Sequence, residues 1–134
     1  MDHQSDPYDV KLAATCLLTK VAFADDYLDP HEEKIMREIL SEFFSIDKEE
    51  TNKLFKDANL LIDEATDIFS FGKTLNEHFD KQDKLDFIGC IFEVAFSDGD
   101  LHYMESHTIK QISNILNLEQ HELISAKMDI KRFL

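Results

Sequence analysis

The stretch Val21-Ala22-Phe23-Ala24-Asp25-Asp26-Tyr27-Leu28-Asp29-Pro30-His31-Glu32 comes back 73 residues later as Val94-Ala95-Phe96-Ser97-Asp98-Gly99-Asp100-Leu101-His102-Tyr103-Met104-Glu105. Val, Ala, Phe, Asp, Leu and Glu recur in the same order without a gap, and Ile39 and Ile112 carry the match onward. Two copies at so long a period are not a solenoid, whose units run to about 20 to 50 residues. They indicate an internal duplication within one domain spanning residues 1–134, with repeats of roughly 10–55 and 82–128. Each copy reads as an apolar-periodic segment, a short acidic loop and a second apolar-periodic segment. The expected fold is all-α, a compact bundle of about seven helices built from two pseudo-symmetric helical hairpins.

Local signals place the helices. Asp6-Pro7 reads as N-cap and first helical residue, ahead of a stripe of Val10, Ala13, Ala14, Leu17, Leu18 and Val21. Phe23 lies off that stripe and, being matched by Phe96 in the second copy, is expected to pack on the partner hairpin rather than face water. Asp29-Pro30 with Glu32 forms a second start signal of the capping-box type, opening a helix lined by Ile35, Met36, Ile39, Leu40, Phe43 and Phe44. Asp47 with Glu50 predicts a third, short helix holding Leu54 and Phe55, and a turn is expected near Asn59 to Asp63. A fourth helix is expected over Glu64 to His78, burying Ile68, Phe69, Phe71 and Leu75 at the cost of Gly72, about 1 kcal/mol relative to Ala. Asp80 caps a fifth with Leu85, Ile88, Ile91 and Phe92. The sixth holds Met104, Ile109 and Ile112, and the seventh starts near Glu119 with Leu123, Ile124, Met128 and Phe133. No segment alternates with period two for long enough to predict a strand.

A chain of this length buries one core without disulfide or metal staples. With 14 basic and 28 acidic residues, the net charge of −14 opposes approach to a phosphate backbone or an anionic leaflet. Nucleic acid and membrane surfaces are therefore set aside; a cation, a protein partner and self-association into a homodimer stay open. Cys16 and Cys90 lie in apolar helical segments without metal-ligand spacing and read as core thiols. Neither an export signal nor a run of about 18 apolar residues is present, so the expected location is the cytoplasm.

The acids at the repeated loops carry the candidate chemistry. Asp25 and Asp98 fall at helix C-termini, where the macrodipole disfavours a carboxylate by up to about 1 kcal/mol. Either they accept hydrogen bonds from loop amides, as Asx turns do, or they gather around a cation. If the duplication brings Asp25, Glu32, Asp98 and Glu105 into one pocket, neighbouring carboxylates about 4 Å apart repel by about 4 kcal/mol at an effective dielectric of 20. Oxygen ligands alone point to a hard divalent cation, Ca²⁺ or Mg²⁺. Helix caps explain the same four acids without an ion. An EF-hand is disfavoured by Tyr103 and Ile109, which occupy the positions requiring Gly and a bidentate acid. No phosphate-binding glycine loop, nucleophile setting or His-Glu-x-x-His occurs, so the chain is not expected to be an enzyme.

The repeated pattern Val-Ala-Phe-x-Asp-x-x-Leu-x-x-x-Glu resembles the paired motif of the tellurite-resistance TerB-like family. The tail Leu116-Asn117-Leu118-Glu119-Gln120-His121-Glu122 is similar to that family's ending. Together these features reach from about residue 10 to the C-terminus. The resemblance implies a helical bundle found in bacterial stress proteins or fused to modules such as J-domain co-chaperones. It also implies a divalent-cation site at Asp25, Glu32, Asp98 and Glu105. The first loop departs from the family's Asp-Gly by carrying Asp26.

Overall fold

In a computed structural model that describes residues 6–23, 30–62, 67–97 and 101–132, seven helices form and no strand is present among those residues. They are α1 (Tyr8–Ala22), α2 (Pro30–Phe44), α3 (Lys48–Leu61), α4 (Phe69–His78), α5 (Lys81–Ala95), α6 (Tyr103–Ile115) and α7 (Gln120–Arg132). The shift of 73 residues that relates the two motifs carries Tyr8–Ala22 onto Lys81–Ala95 end to end, and Pro30 onto Tyr103. Helix ends correspond as well. The backbone N–H of Phe23 donates to the carbonyls of Thr19 and Val21, and that of Phe96 to Phe92 and Val94. Helices α2 and α6 both end on a left-handed residue, Ser45 (φ 55°) and Asn117 (φ 62°). Behind each, Ile46 donates to Ser41 and Leu118 to Ser113, the 6→1 bond of a Schellman stop.

Helices α1 and α5 pack on each other and make the centre of the bundle. Around them α1 meets α2, α3, α4 and α6, and α5 meets α2, α6 and α7. The core runs continuously through Leu17, Val21, Met36, Leu40, Phe44, Phe87, Ile88, Ile91 and Ile112. Phe43 closes one end of it, with its ring 5.9 Å from those of Phe79 and Phe87. Burying side chains of this size contributes about 1.5–3 kcal/mol each. Thr15 and Thr19, also buried in α1, donate back to the carbonyls of Lys11 and Thr15 and so leave no unmatched hydroxyl.

Several local expectations are corrected. Pro7 is the N-cap of α1, one residue later than Asp6-Pro7 suggested, and no side-chain cap bond is made there. The short third helix is 14 residues long and passes through the turn expected at Asn59, because no Gly or Pro interrupts it before Ile62. Its capping box is half made. Asp47 accepts from the Glu50 N–H, but the Glu50 side chain turns to the buried Lys11 ammonium at 3.0 Å. At Asp80 the box is complete, with Asp83 as the reciprocal partner.

Phe23 is 41% exposed while Phe96 is 7% exposed. Phe96 stacks on Phe92 at 6.3 Å, and the residue in that place in the first copy is Thr19, which offers no ring. Within α4, Leu75 is buried but Phe69 is 58% exposed. Gly72 proves to be a packing requirement: a Cβ there would lie 2.1 Å from Ile115 Cγ2. The expected seventh-helix stripe is rotated. Leu123, Ala126 and Ile130 face the core, Ile124 and Met128 are exposed, and Phe133 lies outside the described residues. The residues expected to begin the fourth helix, 64–66, lie outside them too, and the helix starts at Phe69.

Candidate functional site

Of the four acids named from the sequence, Asp25 and Asp98 lie outside the described residues, as does Asp29 of the expected capping box. Glu32 and Glu105 are described and correspond. Each is the third residue of its helix, α2 and α6, and they are 4% and 1% exposed. Glutamate is almost never buried to this degree unless compensated, since moving an ionised carboxylate out of water costs several kcal/mol. A cation, backbone N–H groups or a proton supplies that compensation. Among the described residues, no three or more His, Cys, Asp or Glu side chains gather into a group able to hold a metal.

The two copies meet at one end. His31, at the start of α2, and Ser97, just past α5, line the same groove together with Ile35, Glu38, Glu42 and Glu93. The chain thus enters α2 and leaves α5 side by side. His102 is the N-cap of α6, with an extended backbone (φ −72°, ψ 150°), which places Glu105 at the third helical position, where a capping-box acid stands.

A second feature was not foreseen from the sequence. Between α5 and α7 lies a groove of about 520 Å³. Leu85, Gly89, Cys90, Ala126 and Ile130 form its apolar floor; Asp86, Glu93, Glu122 and Asp129 stand along its rim. Burial first, and then the nearby Glu93, Asp86 and Glu42, push the Cys90 thiol up to about 12. The Glu93 carboxyl is raised by partial burial and then by Glu42. Glu122 is lowered, chiefly by the backbone N–H of Glu119 and then by Lys81 at 3.1 Å. Cys90 is therefore no sealed core thiol, unlike Cys16, which is wholly buried. The sequence signal that could have found the groove is Gly89, a glycine midway along a helix with no turn to serve.

No helix among the described residues is long and apolar enough to cross a membrane. No curated protein matches the chain. A solved structure of a protein of unknown function from Porphyromonas gingivalis superposes with a TM-score of 0.72 at 18% identity, covering 98% of this chain and 92% of that one, which shows a shared fold. The family model of tellurite resistance protein TerB matches residues 11–128, nearly the whole chain and both copies of the motif. The chain therefore belongs to the TerB family.

Proposed function

We propose that this TerB-family chain is a non-enzymatic bacterial module that binds a divalent cation at its duplicated acidic loops and acts through a protein partner, as in a cytoplasmic stress response. The observation that carries the ion is the matched burial of Glu32 and Glu105, at the same position of corresponding helices. Two further features support it. The chain enters α2 and leaves α5 at one end. All four acids donate oxygen only, which suits Ca²⁺ or Mg²⁺. The matched halves are most simply read as two copies of one ancestral hairpin, each supplying one Asp and one Glu.

A second reading has its own support. This chain uses acids as caps at Asp47 and Asp80, and Glu105 occupies a capping position, so the four acids can serve the helix starts without an ion. The two readings separate in a thermal melt of chelator-treated protein with and without Ca²⁺, Mg²⁺ or Mn²⁺. Saturation at about a hundredfold excess over Kd adds about 2.7 kcal/mol, a rise of several degrees. The expected result is a selective rise that the Asp25→Asn/Asp98→Asn double variant loses. A flat response to every ion leaves the cap reading standing.

A further inference from the structure

We propose that the groove between α5 and α7 docks a basic amphipathic helix of a partner protein. This names the partner class for the interaction role above and rests on that role, not on the ion.

The first support is a comparison of the two central helices. Asp86, Gly89, Cys90 and Glu93 of the groove correspond, under the 73-residue shift, to Ala13, Cys16, Leu17 and Lys20 of α1. Ala13, Cys16 and Leu17 are buried, whereas Asp86 and Glu93 are exposed and Gly89 and Cys90 only half-buried. Helix α1 is covered by α2, α3, α4, α5 and α6; α5 is covered by the counterparts of four of these, α6, α7, α1 and α2. Among the described helices, none packs on α5 as α4 packs on α1. On the first half, the ten-residue α4 packs on α1.

Gly89 gives the second support. An added Cβ there meets nothing within 4 Å, so no packing inside the chain calls for a glycine at a mid-helix position that disfavours it. At Gly72 the missing side chain lets α4 approach Ile115 of α6 closely; at Gly89, which lines the groove, no described atom stands within 4 Å of that place. The third is charge. Lys81 pairs with Glu122, and Arg132 stands 3.9 Å from Asp129, leaving Asp86, Glu93 and the adjacent Glu42 as an acidic margin. Lys and Arg on the occupant's polar side would meet these acids while its apolar side covers Leu85, Cys90, Ala126 and Ile130. A second copy of this chain, itself at −14, is opposed by the same charge.

The test uses the full chain with chelator present throughout, so that failure of ion binding does not touch it. The probe is a fluorescein-labelled Leu/Lys amphipathic helical peptide of about 14 residues, titrated by anisotropy at about 0.15 M salt. Saturable binding is expected, weakened about tenfold or more by Gly89→Leu and by Ser125→Trp on the facing wall, both of which leave the charge unchanged. Asp86→Asn/Glu93→Gln should weaken binding and flatten its salt dependence. Equal affinity for the parent and both wall variants would mean diffuse attraction to an acidic surface and overturns the proposal. Absence of saturable binding overturns it as well. So does concentration-dependent dimerisation that Gly89→Leu abolishes, which would make the occupant a second copy.

Discussion

Equivalent residues in the two copies have different fates, and the difference lies in their neighbours. Lys20 of α1 becomes Glu93 in α5, where partial burial and Glu42 hold its carboxyl above the ordinary value. The folded chain then binds that proton more tightly than the unfolded chain, so stability falls as pH climbs from the unfolded value past the folded one. The penalty is complete once the pH is above the folded value. Glu93→Gln is expected to raise Tm at pH 7, with the gap to the parent closing below about pH 4, where the glutamate is protonated in both states. Melts across that range check it. The buried pair Glu32 and Glu105 was legible as a repeated position, but its burial was not, because a glutamate at the start of a helix reads equally well as a solvated cap.

Two mid-helix glycines make opposite predictions. In a solvated helix, Ala is better than Gly by about 0.5–1 kcal/mol. Gly89→Ala should show that gain, since its new methyl enters open space. Gly72→Ala should instead cost about 1–3 kcal/mol, because the methyl would drive into Ile115 and push α4 off α6. Denaturant melts of the two variants, with midpoints moving in opposite directions, test the pair. The helix starts at Asp47 and Asp80 were readable because a cap acts within one turn of chain. The exposed side of α7 was not, because Ile124 and Met128 are as apolar as Leu123 and Ile130. Only the angle at which α7 meets α5 selects between the two stripes.

A net charge of −14 on a chain of 134 residues sets a self-repulsion that folding must overcome. Raising NaCl from about 10 mM to about 0.3 M is expected to increase Tm by screening it, since the Debye length falls from about 30 Å to below 8 Å. Mg²⁺ added at matched ionic strength should raise Tm further only if the acidic loops bind it, which separates a site from screening. The seven helices, their order and the 73-residue correspondence were all contained in the sequence, because periodicity, caps and breakers act over a few neighbouring residues. Which of the corresponding faces became covered was decided by packing. Helix α4 packs on α1, no described helix packs so on α5, and one stripe is core while its equivalent is the wall of a groove. Burial depends on what comes to stand opposite a residue, and that partner is assembled from parts of the chain that local pattern does not connect.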